Sequence, residues 1–261
     1  MKKVIIVGGG SASWATAYQI LRSNAVEEIQ VIHSGTVPII GTGEGATGSL
    51  DDVILRGDHK EFLEKTNSTV KLGILFENWQ GVGTSFNKYV DAWYYDARRK
   101  GKDIDVMYKI LDENIDTDDV SINAFLMKHE LQDFEEVKRH TFHFDGKNVG
   151  QFFKDRCLAS DKVTSIIDTI TNVEVNNGKV ISLHGEEGSY TADFYIDSTG
   201  FRRLFASFID HEFEPYEEWL DINGAVPFLL PQKDQAYTVS RAMKNGWMWE
   251  VPKTNNLGAG Y

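Results

Sequence analysis

The sequence predicts an α/β fold in which a parallel sheet with helices is joined to a second region built on its own β-sheet. Three observations predict it. Residues 3–33 run strand, glycine turn, helix, strand, about the length a βαβ unit needs. A later strand, Ala192 to Asp197, ends in Ser198-Thr199-Gly200. Residues 222–251 then hold three strand-like segments of a second sheet.

The elements follow from the residue pattern. Residues 3–8 are a run of β-branched side chains, as in a parallel strand buried on both faces. Gly8-Gly9-Gly10 breaks it, and Trp14, Ala17, Tyr18 and Leu21 then recur at helical spacing. Glu28 to His33 is the second strand. Residues 51–66 read as a polar helix, Val70 to Trp79 as a strand, and the acidic stretch 103–138 as two surface helices. His140 to Phe144 alternates like a strand, and Val149 to Leu158 reads as a helix. Thr164 to Val175 and Lys179 to His184 flank Asn176-Asn177-Gly178, a hairpin signal. Ile222 to Leu230, Gln235 to Ser240 and Gly246 to Val251 are the strands of the second sheet. The chain closes one strand, a turn and the first residues of a partner strand after Gly246. That leaves an edge in need of pairing, and the expectation is an N-terminal portion of a longer protein.

Composition narrows the function classes. The 261 residues are 41% hydrophobic and 25% charged with only 5 Pro, which excludes a disordered or low-complexity chain. Lys+Arg 27 against Asp+Glu 39 gives a net charge of −12, so nucleic acid is not an expected partner. No stretch approaches the ~18 apolar residues of a membrane span, and Val4 to Val7 is too short for an export signal. A single cysteine excludes a disulfide scaffold, and with no targeting segment the expected location is the cytoplasm.

The glycine turn carries chemistry. Gly8-x-Gly10-x-x-Ser13 follows a strand and opens a helix, so small residues let the backbone approach a pyrophosphate and the helix N-terminus supplies N–H donors. Dinucleotide binding is favoured over an ordinary tight turn. The acid expected at the end of the second strand is His33; either its neutral imidazole or Ser34 is left for the ribose hydroxyls. The strand ending Asp197-Ser198-Thr199-Gly200, at this separation from the first motif, points to FAD rather than NAD. The fold class is thus an FAD-binding Rossmann-like α/β fold of the two-dinucleotide-binding, monooxygenase-like flavoproteins, with an additional β-sheet region on the substrate side. Its flavin part is expected at about 1–50 and 140–210, and its substrate-side part at about 51–139 and 211–261.

Other candidates read as structural. His140-x-x-His143 on an alternating strand points to opposite faces, which favours two surface or half-buried histidines over a metal pair. Cys157 falls in an apolar helical pattern as a core residue. Lys71 lies between Val70 and Leu72. A desolvated lysine there would have a lowered pKa, but spacing alone favours a surface lysine on the polar side of the strand.

Taken together these residues resemble the flavin-dependent tryptophan halogenase family. The resemblance runs through Val7-Gly8-Gly9-Gly10-Ser11-Ala12-Ser13-Trp14, Pro38-Ile39-Ile40-Gly41-Thr42-Gly43-Glu44-Gly45, Val70 to Trp79 and Asp197 to Phe201. Its specific part is Gly246-Trp247-Met248-Trp249-Glu250-Val251-Pro252, similar to the signature Trp-x-Trp-x-Ile-Pro with Val for Ile. The resemblance implies halogenation of an electron-rich aromatic, indole-like or phenolic, with FAD as FADH2 and with halide and O2 as co-substrates. A separate flavin reductase would deliver the reduced flavin, and a homo-oligomer is compatible. Hypohalous acid would pass along a water-poor passage to Lys71, which hydrogen-bonds it or forms a haloamine, while Trp247 and Trp249 discourage hydroxylation beside the flavin. Gly9, Gly10, Ser11 and Ala12 would meet the pyrophosphate, Ser34 and Val37 would lie along the adenosine and ribitol side, and Glu44, Gly45 and Ile170 along the flavin; Gly8, Ser13, Thr199 and Gly200 complete the cofactor-binding motifs. Trp247, Trp249 and Pro252 form the signature. Gly45 and Gly48 depart from the family's usual Ala and Pro. The family's catalytic glutamate lies beyond the position matching Tyr261. The competing readings are an FAD-dependent aromatic hydroxylase and a non-catalytic flavin-binding fragment.

Overall fold

The computed structural model describes residues 2–35, 44–47, 50–55, 59–89, 121–129, 141–209 and 214–261. Val37, His140, Gly48 and most of the acidic stretch 103–138 lie outside the described residues. The chain divides into two compact units, Met1–Gly41 with Gly146–Asp221 and Thr42–Asp145 with Ile222–Tyr261.

In the first unit, β1 (Lys3–Val7), α1 (Ser11–Ser23) and β2 (Glu28–His33) form the expected βαβ start. A parallel four-stranded sheet runs β12-β1-β2-β8, with β8 at Val163–Ile167 and β12 at Phe194–Asp197. Helix α4 (Gly146–Leu158) packs against α1. The other sheet of this unit, in the order β11 (Ser189–Tyr190), β10 (Lys179–Gly185), β9 (Ile170–Asn176), is antiparallel and covers the parallel sheet: Ile5, Val7 and Ile32 share one core with Ile170, Val173 and Leu183. The alternate residues Val4 and Ile6 point to the opposite face and are just as buried, which is why the strand reads as a continuous apolar run.

The expected single strand from Thr164 to Val175 is two strands. β8 ends at Ile167 in the parallel sheet, and β9 (Ile170–Asn176) begins the antiparallel one. Asp168 fixes the break. Its carboxylate accepts the Glu186 and Glu187 amides at 2.9 and 3.2 Å and the Tyr190 hydroxyl at 2.7 Å. The hairpin from β9 to β10 (Lys179–Gly185) turns at Asn177 and Gly178, φ 51° and 71°, as the sequence signal requires.

The second unit carries a six-stranded sheet in the order β13-β16-β15-β14-β5-β6 and a small antiparallel sheet β3-β7-β4. β13 is Pro227–Leu230, shorter than expected, β14 Tyr237–Met243, β15 Gly246–Pro252 and β16 Leu257–Gly260. β6 (Ser85–Tyr89) and the two-residue β3 (Glu44–Gly45) were not anticipated. In place of one helix over 51–66 there is a π-helical segment, Leu50–Leu55, and α2, His59–Lys65. α3 is Ile122–Lys128. The run from Val70 to Trp79 is also split: β4 (Thr69–Lys71) pairs with β7 (Thr141–Phe144) in the small sheet, and β5 (Gly73–Glu77) pairs in the large one. Leu72 makes the crossing. Its N–H donates to the Ala236 carbonyl at 2.7 Å, its carbonyl accepts from Asn123 Nδ2 at 3.0 Å, and its side chain is fully buried. Among the described residues, no helix is long and apolar enough to cross a membrane.

Candidate active site

Lys71 ends β4 at the crossing between the two sheets of the second unit. It is only 8% exposed, not the surface lysine that spacing favoured. The strand has no solvent side here, because Val70 is buried on one face and Thr69 and Lys71 face the six-stranded sheet on the other. Burial, and after it the positive charge of Lys88, hold the Lys71 amine below the usual lysine range. Its Nζ donates to the Ala46 carbonyl at 3.5 Å. Gly45 lets it lie there: a Cβ on Gly45 would come 2.9 Å from that nitrogen.

Lys71 lines a cavity of about 520 Å3 together with Gly45, Ile74, Phe76, Ala225, Thr238, Ser240, Trp247, Trp249 and Val251. The lining follows from strand alternation: Ile74 and Phe76 on β5, Thr238 and Ser240 on β14, and Trp247, Trp249 and Val251 on β15 share one face. The two signature indoles lie with ring centroids 5.6 Å apart. Trp79 adds a third indole 6.5 Å from Trp247, tethered by its Nε1 to the Ser240 carbonyl at 3.0 Å. Pro252 ends β15, and its carbonyl accepts the Thr69 hydroxyl. This is a mostly apolar chamber with one amine and two hydroxyls, of a size that takes a small organic molecule.

The glycine turn lies in the first unit. Gly8 has φ 124°, and a Cβ there would overlap the Ser198 carbonyl, so only glycine fits. Gly9 packs against the His33 ring, and Gly10 has open space on its side-chain side. Gly10 is the N-cap of α1 and gives it no side-chain cap, and the first turn, with Ser11, Ala12 and Ser13, holds no acid. Uncapped helix N–H groups beside open space fit a diphosphate. Ser13 Oγ is buried without a hydrogen-bond partner, so its side chain serves close strand–helix packing. His33 does not stand in for an acid: Nδ1 meets the Ser34 carbonyl at 3.4 Å and Nε2 meets Ser165 Oγ at 3.0 Å. A carbonyl only accepts, so Nδ1 carries the proton and Nε2 takes the serine's.

At the second flavin motif, Asp197 ties its own turn. Its carboxylate accepts the Thr199 amide and hydroxyl at 2.9 and 2.6 Å and the Phe205 amide at 2.8 Å. Gly200 is exposed with φ 62°. The Ile170 side chain is in the core, and its carbonyl accepts Arg202 Nη2 at 2.9 Å. Cys157 is a core residue as expected, its thiol pushed up to about 12 by burial.

The tryptophan halogenase family profile matches residues 3–261. The chain belongs to that family. It is 26% identical over 301 residues to a tryptophan 6-halogenase of Streptomyces albogriseolus, covering 100% of this chain and 55% of that one. A tryptophan 7-halogenase of Lentzea aerocolonigenes is 25% identical over 295 residues, covering 99% and 55%. Among solved structures, a tryptophan 6-halogenase from Streptomyces toxytricini superposes with a TM-score of 0.81 at 22% identity, over 99% of this chain and 57% of that one. The tryptophan halogenase of Shewanella frigidimarina gives 0.80 at 22% identity, over 100% and 55%. These structures bear out the flavoprotein α/β fold. The chain spans about 55% of the length of the curated relatives it matches.

Sequence reasoning missed two residues beside this cavity. His143, expected at the surface or half-buried, is wholly enclosed. Trp79 ends the run from Val70, and nothing in its spacing marks it as a neighbour of Trp247. Alternation within one strand cannot show either placement: His143 meets Thr238 of another sheet, and Trp79 lies in the turn after β5, tied to Ser240 of β14.

Proposed function

We propose that the chain carries the lysine chamber and the dinucleotide-binding turn of a flavin-dependent halogenase acting on an electron-rich, indole-like aromatic. The observation that carries this reading is the buried amine of Lys71, its pKa lowered by burial, facing a chamber walled by Trp247 and Trp249. FAD fits the glycine turn: the backbone of Gly9 to Ser13 would hold its diphosphate, with Ser34 toward the ribose and Thr199 and Gly200 toward the flavin. When bound and reduced by a separate flavin reductase, FAD would supply hypohalous acid from O2 and halide.

The chain's own part is to receive that oxidant. Burial favours the uncharged amine of Lys71, which has the lone pair an N–halogen bond needs. Amine plus hypohalous acid gives haloamine plus water. The aromatic carbon then takes the halogen, its ring proton leaves, and the amine is restored. Hydrogen bonding of the intact acid by Lys71 is the other route, and both need the apolar walls of Ile74, Phe76, Trp247 and Trp249 to hold bulk water back. The share of the relatives' length that the chain spans favours a second reading, that the chain as given binds flavin without turnover.

The test is turnover with FAD, a reductase, O2, bromide and a panel of indoles. The expected result is bromide-dependent halogenated product that falls at least about 100-fold in Lys71→Ala. Hydroxylated product without halide dependence, or full-rate halogenation by the alanine variant, overturns the first reading. Flavin retained on purification without any product supports the second.

A further inference from the structure

Behind the cavity wall runs a hydrogen-bonded chain that the halogenation reading does not use. The Thr69 hydroxyl donates to the Pro252 carbonyl at 2.7 Å. His143 Nδ1 lies 3.4 Å from the same Thr69 oxygen, and its Nε2 lies 2.9 Å from Thr238 Oγ1. Thr69 is on β4, His143 on β7 and Thr238 on β14, so the imidazole joins the small sheet to the large one. Thr238 lines the cavity with Lys71, whereas His143 is fully enclosed.

The order of protons along this chain is fixed by what each atom can do. A hydroxyl has one proton. That of Thr69 goes to a carbonyl, which only accepts. The Thr69 oxygen therefore meets Nδ1 as an acceptor, and Nδ1 carries the imidazole proton. Nε2 is then bare, and the Thr238 hydroxyl donates to it. The remaining possibility, an imidazolium that donates at both ends, is opposed first by complete burial and then by the charge of Lys71, which together hold His143 well below the usual histidine range. The Thr238 proton is thus turned away from the cavity, and what its oxygen offers there is lone pairs.

We propose that His143 is a positioning residue that locks Thr238 as a hydrogen-bond acceptor facing the cavity, so that the site takes an O–H donor there: hypohalous acid in its protonated form rather than the hypohalite anion. The identity of that ligand rests on the halogenation reading; the locked hydroxyl does not. Lys71 and Thr238 then address one small molecule from two sides, the amine at its halogen or oxygen and the threonine at its proton. An anion would meet the lone pairs of Thr238 and be disfavoured.

Two measurements decide it. Long-range 1H–15N spectra of protein labelled with 15N-histidine report the tautomer directly. His143 is assigned by loss of its signals in His143→Gln, or, if that variant does not fold, by the one Nε2 that moves in Thr238→Val. The expected result is the neutral Nδ1–H form throughout about pH 6 to 9. An Nε2–H tautomer, or an imidazolium within that range, overturns the lock. The second measurement is halogenation by Thr238→Val, expected to lose about tenfold in kcat with KM for the aromatic unchanged, and by Thr238→Ser, expected to restore the rate. A valine variant at full rate overturns the contact with the oxidant. The tautomer is read whether or not the protein halogenates. A wild type without halogenated product overturns the halogenation reading and the assigned ligand, and a wrong tautomer overturns the lock alone.

Discussion

Lys71 shows at the scale of one residue how a functional group is set against the fold that holds it. Its amine lies against Gly45 and the Ala46 carbonyl in a buried side chain, so folding shifts it toward the uncharged form. The unfolded chain keeps the ordinary lysine value of about 10.4. Between the lowered folded value and that one, the unfolded state binds the extra proton, so stability rises with pH across this window. Below the window the cost of the buried charge is present in full. Lys71→Met removes the cost while keeping the volume. The variant is expected to melt about 2–4 °C higher than the wild type at pH 7, where ~1 kcal/mol corresponds to such a shift in a chain of this size. The gap should close as pH approaches about 10.4. Thermal melts at pH 7 and pH 10 check this, and a variant that melts lower at pH 7 sinks the claim. Spacing alone gave the wrong environment for Lys71 because alternation assigns a residue to a face and not to what covers the face. Val70 and Leu72 marked the apolar side correctly, but the polar side of β4 closes against the six-stranded sheet. His143 misled for the same reason, since both faces of β7 are buried: Phe142 against Phe62 of α2, and His143 against Thr238 of β14.

At the scale of the element, the six-stranded sheet carries two different faces. One face builds the chamber with Thr238, Ser240, Trp247 and Trp249. The other carries a charged ladder across β5, β14 and β15. Arg241 meets Glu77 at 2.5 Å and Glu250 at 3.2 Å, and Lys233 meets Glu250 at 2.7 Å. The Glu250 side chain is only 4% exposed, so its charge depends on these partners rather than on water. Arg241→Met leaves a buried carboxylate with one lysine. It is expected to cost about 2–4 kcal/mol in urea unfolding, and Arg241→Met with Glu250→Met less than that single change. If the two substitutions add, the ladder is not what keeps these strands in register. Part of this was legible beforehand. The Trp-x-Trp alternation put both indoles on one face and Glu250 on the other. The ladder was not, because Glu77, Lys233, Arg241 and Glu250 are far apart in sequence and only the pairing of β14 with β5 brings them together.

At the scale of the molecule, the first unit was the most legible part, because β1 is buried on both faces and announces itself as an apolar run ended by glycine, while β2 and β12 pair in parallel on either side of it. The two crossings, at Leu72 and Asp168, were not, since an apolar run gives no sign that it changes sheets. The glycine turn yields the prediction that joins this unit to the cofactor. FAD at a hundredfold excess over its Kd should stabilise the protein by about 2.7 kcal/mol, or about 5–10 °C in Tm. Gly10 offers a variant that separates binding from folding. Its backbone, φ −77° and ψ 177°, suits any residue, and a side chain there meets open space. Gly10→Glu therefore places a carboxylate at the start of α1, where the helix dipole favours it. The variant alone should melt no lower than the wild type. The same carboxylate occupies the position and the charge that a diphosphate would need, so the FAD-induced rise in Tm should vanish. A variant that keeps the full rise would show that the diphosphate sits elsewhere, while one that melts low without FAD would show that Gly10 is needed for packing and not for the ligand.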